Sequence, residues 1–131
     1  MGNQIIEIEK VMLVDDDPLI RSMAGICLQG LSDWNLVLCQ SAAEALQKFE
    51  EDIPDLLLLD LLMPEMGGLE LYKIIKEKLG EKSPVLIFMT ARIEAQELEE
   101  YKKIGAAGLI MKPFDPMKLV EKIENILIEL K

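Results

Sequence analysis

Four consecutive leucines, Leu56 to Leu59, run straight into Asp60, with Pro54 on one side and a Met63-Pro-Glu-Met-Gly-Gly68 turn on the other. A strand made of such a run has no polar face to offer water, so it is buried on both sides, as in a parallel sheet covered by helices. Parallel neighbours must be joined by crossovers, which commits the flanking chain to helices. The carboxyl ends of the strands in such a sheet line the crevice where open α/β folds hold ligands. Asp60 falls at that end. Its carboxylate either caps the following segment or has a chemical task, and the rest of the chain decides between the two.

The same alternation recurs along the sequence. Lys10-Val-Met-Leu-Val-Asp15 reads as a first buried strand that ends in Asp15, Asp16 and Asp17, and Asp17-Pro18 has the form of an N-cap with proline at the first helical position. The helix that follows places Ile20, Met23, Ala24, Cys27 and Leu31 on one face. Residues 35–39 form a second, shorter strand, and Ser41-Ala-Ala-Glu44 is a capping box opening a helix with Ala42, Ala45, Leu46 and Phe49 inward. A helix over about residues 69–79 should stop at Gly80. Residues 84–89 make a fourth strand that delivers Thr90, a polar helix over about residues 93–104 stops at Gly105, and residues 108–111 make a fifth strand that delivers Lys112. Asp115-Pro116 repeats the cap and proline, and the last helix aligns Leu119, Val120, Ile123, Ile126, Leu127 and Leu130 in one stripe. Five strand–helix repeats predict an α/β domain: a single five-stranded, doubly wound parallel sheet with helices on both faces. One domain over residues 1–131, with no output domain, is expected.

Composition narrows the function. Fourteen basic against 24 acidic residues give a net charge of −10, which argues against direct nucleic-acid binding and suits cations or basic protein surfaces as partners. The chain has no histidine, which removes histidine-based triads, histidine zinc sites and an internal phosphohistidine. Cys27 and Cys39 fall in apolar patterns on different elements and are expected as buried free thiols. No apolar stretch approaches the ~20 residues of a membrane span. The first residues, Met-Gly-Asn-Gln-Ile-Ile-Glu, show no basic n-region and no signal h-region, and Ile6 stands where a myristoylation motif wants Ser or Thr. A cytoplasmic location without membrane association is expected.

Four of the five strands end in a chemically loaded residue: Asp15 with Asp16, Asp60, Thr90 and Lys112. A parallel sheet brings all of these to one edge. Three clustered carboxylates repel, raising at least one pKa, and a hard divalent cation relieves that repulsion. Magnesium suits an all-oxygen donor set better than zinc. A carboxylate beside it can attack phosphorus and form an acyl phosphate, while Lys112 and Thr90 hold the other phosphoryl oxygens.

Val14-Asp-Asp-Asp17-Pro18, Leu59-Asp60-Leu-Leu-Met-Pro-Glu-Met-Gly-Gly68, Met89-Thr90-Ala91 and Lys112-Pro-Phe114 together resemble the receiver domains of two-component response regulators, in order and in spacing. The resemblance implies a flavodoxin-like (CheY-like) fold with strand order 2-1-3-4-5. It implies that Asp60 accepts a phosphoryl group from the phosphohistidine of a sensor histidine kinase or a histidine phosphotransfer protein. Asp15 and Asp16 then resemble the magnesium-binding acid pair, with Asp60 completing the metal site and Asp17 as a capping acid. Thr90 resembles the switch hydroxyl, Lys112 the phosphate-binding lysine, and Lys112-Pro113 the family's usual cis bond. Such a domain is a phosphoacceptor that promotes its own phosphotransfer and slow dephosphorylation, not a turnover enzyme. A downstream protein would read the face of the fourth and fifth helices, and the domain would be a monomer or a phosphorylation-dependent dimer. Leu109 departs from the family pattern, which has Tyr or Phe three residues before the lysine. Leu62 and Arg92, two residues after Asp60 and Thr90, are expected to flank the approach of hydrolytic water and lengthen the phosphoryl lifetime.

Other classes need other residues. A flavodoxin requires a hydroxyl-rich phosphate loop where Asp15, Asp16 and Asp17 stand, and a haloacid-dehalogenase-type phosphatase requires an acid at position 62, which is leucine. Pro18 forbids an EF-hand loop. Two alternatives remain within the resemblance: a receiver excised from a larger hybrid kinase or transcriptional regulator, and a receiver-like module that binds without phosphorylation.

Overall fold

The computed structural model describes residues 7–91 and 95–130. Five strands, β1 (Lys10–Val14), β2 (Asn35–Cys39), β3 (Leu56–Asp60), β4 (Val85–Thr90) and β5 (Gly108–Met111), alternate with five helices, α1 (Pro18–Leu31), α2 (Ala42–Glu51), α3 (Gly68–Leu79), α4 (Ala95–Lys103) and α5 (Leu119–Glu129). Every strand pair is parallel, and the order is β2-β1-β3-β4-β5. The leucine strand thus lies at the centre of the sheet, where Leu56 to Leu59 are all 0 % exposed.

Alternate residues of each strand enter different cores. Met12, Val14, Leu57, Leu59, Leu86 and Phe88 pack against α2 and α3, through Ala42, Ala45, Leu71, Tyr72 and Ile75. Val11, Leu13, Leu56, Leu58, Ile87 and Met89 pack against α1 and α5, through Ala24, Leu28, Leu119, Val120 and Ile123. Burying one such leucine contributes about 1.5–3 kcal/mol, so the central strand is anchored from both sides and its end is held still.

The caps are largely as expected. The Asp17 carboxylate accepts from the Leu19 N–H at 2.9 Å, and Asp115 accepts from Met117 N–H at 3.0 Å, opening a short 3₁₀ turn, Pro116–Lys118, that leads into α5. Ser41 Oγ accepts from the Glu44 N–H at 3.1 Å, but Glu44 Oε1 takes its return bond from Gln40 N–H at 2.7 Å, one residue earlier than a capping box requires. Two stripe residues are corrected: Leu31 and Leu130 are 46 % and 42 % exposed, Leu31 as the last residue of α1 and Leu130 as the residue just past the end of α5. Cys39 is buried as expected, whereas Cys27 is only half-buried, its Sγ 4.0 Å from Met117 Sδ. The expected fourth helix begins at residue 93; Ile93 and Glu94 lie outside the described residues. No helix among the described residues is long and apolar enough to cross a membrane.

Candidate functional site

Parallel order carries the ends of β1, β3, β4 and β5 to one edge, and main-chain bonds tie them together there. The Leu61 N–H donates to Met89 O at 3.1 Å, Lys112 N–H to Thr90 O at 2.8 Å and Asp15 N–H to Cys39 O at 3.1 Å. The loop after β3 folds back so tightly that a Cβ on Gly68 would lie 2.3 Å from the Asp60 carbonyl oxygen, and one on Gly67 would lie 2.8 Å from that of Leu61. Only glycine fits there. Gly68 N–H in turn donates to Leu61 O at 3.0 Å. The Gly-Gly pair of the turn is therefore what allows the backbone beyond Asp60 to close over its own strand.

A cleft of about 470 Å³ opens at this edge, lined by Asp15, Asp16, Asp60, Thr90 and Lys112 together with Asp17, Pro18, Leu62 and Ala91. Asp15, Asp60 and Thr90 are buried, whereas Asp16 is exposed. Lys112 Nζ stands 2.6 Å from Asp15 Oδ2 and 3.5 Å from Asp60 Oδ2, bridging the two buried acids. The peptide bond between Lys112 and Pro113 is cis. Asp15 Oδ1 accepts from Asp17 N–H at 3.0 Å, and Asp60 Oδ1 from Leu62 N–H at 3.3 Å. Burial first, and the neighbouring Asp15 carboxylate second, raise the Asp60 pKa to about 6, against the pull of Lys112 and of the Leu62 N–H. The repulsion that clustered acids imply therefore appears at Asp60.

Asp15, Asp16 and Asp60 each offer a carboxylate oxygen, and these oxygens lie within 4.8 Å of one another; this is the one such cluster among the described residues. Oxygen donors alone, from acids of which two are buried, fit a hard divalent cation such as magnesium. Bound there, the cation supplies charge neutralisation beside the Asp60 carboxylate.

Every described residue of the expected constellation is at this edge. Leu62 lines the cleft and is 74 % exposed. Leu109 sits half-buried on β5, opposite Phe88 of β4. Arg92 lies outside the described residues. One contact has no counterpart in the expected set: Arg21 Nη1 donates to the Asp15 main-chain carbonyl at 2.7 Å. Its sequence signal is a cation one turn into a helix, where the dipole favours negative charge.

Comparison with known proteins gives a consistent picture. The family model of the response regulator receiver domain matches residues 11–124. The DNA-binding response regulator MtrA of Mycolicibacterium smegmatis is 30% identical over 115 residues, covering 88% of this chain and 49% of that protein. The transcriptional regulatory protein TrcR of Mycobacterium tuberculosis is 30% identical over 118 residues, covering 90% of this chain and 45% of its own. The chain thus spans about half the length of the curated relatives it matches. Among solved structures, the Vibrio cholerae chemotaxis protein CheY4 superposes with a TM-score of 0.82 at 28% identity, over 92% of this chain and 99% of that one. A CheY-like receiver domain protein from Methanospirillum hungatei superposes with a TM-score of 0.79 at 28% identity, over 94% and 96%.

Proposed function

The chain belongs to the response regulator receiver domain family, and from that premise we propose that it is a switch operated by phosphorylation of Asp60. Receiver domains are signalling switches of two-component systems rather than turnover enzymes, and they partner histidine kinases and downstream effectors. The observation that carries the proposal is the meeting of Asp15, Asp16 and Asp60 within 4.8 Å, with Lys112 bridging Asp15 and Asp60.

Asp60 is ionised at neutral pH, as a nucleophile must be. Its carboxylate oxygen attacks the phosphorus of a partner's phosphohistidine; the new O–P bond forms as the P–N bond breaks, and the imidazole leaves with a proton from solvent. Asp15, Asp16 and Asp60 would hold magnesium, which when bound would supply charge neutralisation for the incoming phosphoryl group. Lys112, already placed between two acids, turns its ammonium to a phosphoryl oxygen, and Thr90 supplies a hydroxyl to another. The inward pull on Thr90 biases α4, and the α4 and α5 face presents the new state to a protein partner in the cytoplasm. Leu62, which lines the cleft, and Arg92, by its sequence position two residues after Thr90, are the residues we assign to hindering hydrolytic water and slowing the loss of the phosphoryl group.

A second reading is favoured by one observation. The match covers about half of relatives named as DNA-binding or transcriptional regulators, so the same unit would serve equally as the regulated half of a longer protein.

Intact-mass spectrometry tests the proposal. Incubated with acetyl phosphate and magnesium, the protein should gain one phosphoryl group, and excess EDTA should suppress the gain. A wild type that stays unmodified, or that is modified equally in EDTA, would count against a magnesium-assisted acceptor.

A further inference from the structure

Arg21 lies one turn into α1, and its guanidinium spends a hydrogen bond of 2.7 Å on the main-chain carbonyl of Asp15. That carbonyl marks the point where the strand ladder gives out. Val14 is the last residue of β1 paired with β3, and the Asp15 N–H is still engaged with Cys39 O. The Asp15 side chain is held separately, Oδ1 by the Asp17 N–H and Oδ2 by Lys112. Arg21 therefore closes the remaining hold on the turn that carries Asp15, Asp16 and Asp17. Helix stability does not explain a cation there, because the positive end of the dipole opposes it. Nor does an ion pair: among the described residues, the ion pairs are those of Lys10 and Lys112.

We propose that Arg21 is a positioning residue for the cation site, fixing the turn of residues 15–17 so that Asp15 and Asp16 face Asp60 before a cation arrives. This rests on reading the three-acid cluster as a magnesium site. The carboxylates of Asp15, Asp16 and Asp60, gathered within 4.8 Å, repel one another, and without a clamp on the main chain the turn relaxes and spreads them.

The role has a sign that charge alone would reverse. A guanidinium close to a cation site repels the cation, so on Coulombic grounds its removal tightens magnesium binding. As a clamp, its removal weakens binding.

The full chain, without any phosphodonor, is titrated with magnesium while the amide resonances of residues 15–17 and 60–62 are followed. Arg21→Met should raise the magnesium dissociation constant about tenfold, the usual effect of removing a group that orients a metal ligand. Arg21→Lys keeps a donor and should recover part of the loss. Urea midpoints measured in EDTA should stay close to wild type for both, since Arg21 lies outside both cores. Magnesium bound by Arg21→Met as tightly as by wild type, or more tightly, overturns the proposal, as does a weakening that Arg21→Lys shares in full. A wild type without a saturable response at residues 15, 16 and 60 overturns the magnesium assignment itself and the clamp with it, which keeps the two failures distinct.

Discussion

Asp60 carries a cost that the rest of the molecule offsets. Its carboxyl is buried beside Asp15 and titrates near 6 instead of 3.8, so the folded chain holds the proton more tightly than the unfolded chain does. Between about pH 4 and pH 6 the native state then binds more protons, and stability falls as pH rises through that window. Asp60→Asn removes the charge, so in magnesium-free buffer the variant should be more stable than wild type by about 1–3 kcal/mol at pH 7.5. The advantage should vanish towards pH 4 and shrink when magnesium is added. Urea unfolding at the two pH values checks this, and a pH-independent difference would mean that Asp60 is not strained by charge. The neighbour two residues on sets a different quantity. Leu62 exposes an apolar side chain at the cleft, with no group to orient water. Leu62→Asn combined with Arg92→Glu should speed loss of the phosphoryl group by about 10-fold or more, since water positioning is worth about 10²–10⁴ in such chemistry. Decay of the labelled protein at the wild-type rate would show that these positions do not control its lifetime.

At the scale of elements, α4 stands apart from the other helices. None of its side chains over residues 96–103 is buried, and its hold on the sheet centres on Tyr101, whose ring lies 5.1 Å from that of Phe88 at an inclination of 56°. The Tyr101 hydroxyl donates to Glu97 Oε2 at 3.4 Å, and Tyr72 also meets Phe88 edge-on, the ring centroids 6.4 Å apart. An aromatic pair is worth about 0.5–1.5 kcal/mol beyond burial, so Tyr101→Ala should raise amide exchange in α4 about 2- to 10-fold and leave α1 and α5 unchanged. Beryllium fluoride with magnesium, a mimic of the acyl phosphate, should likewise alter exchange in α4 of the wild type. A response confined to another face would show that Leu109, in the place of an aromatic, has moved the output elsewhere. Much of the element pattern was legible in the sequence, because strand burial and caps are local. Leu31 and Leu130 were misread because periodicity treats every turn of a helix alike and is silent on how far burial reaches towards its ends. Tyr101 looked like one more residue of a polar helix, since nothing local says that Phe88 lies beneath it.

For the whole molecule, the placement of the site follows from topology more than from any single motif. Two cores, one on each face of the sheet, fix five strands in parallel, and any reactive residue at a strand end is thereby brought to the same edge. Asp15, Asp60, Thr90 and Lys112 were legible for that reason: their spacing along the chain matters less than their position on a strand. Arg21 was not, because a cation one turn into a helix is an oddity that does not say which main-chain carbonyl it reaches. Asp55 was missed as well; its carboxylate accepts from the Glu9 and Lys10 N–H groups at 2.9 Å each and anchors the start of β1. The central claim is that this convergence makes Asp60, and no other acid of the cluster, the phosphoryl acceptor. Borohydride reduction after phosphorylation, followed by peptide sequencing, tests it most directly, because reduction converts a phosphorylated aspartate to homoserine. The account predicts homoserine at position 60 alone, absent without phosphodonor and absent in Asp60→Asn; homoserine at position 15 or 16, or an Asp60→Asn variant labelled like wild type, would contradict it.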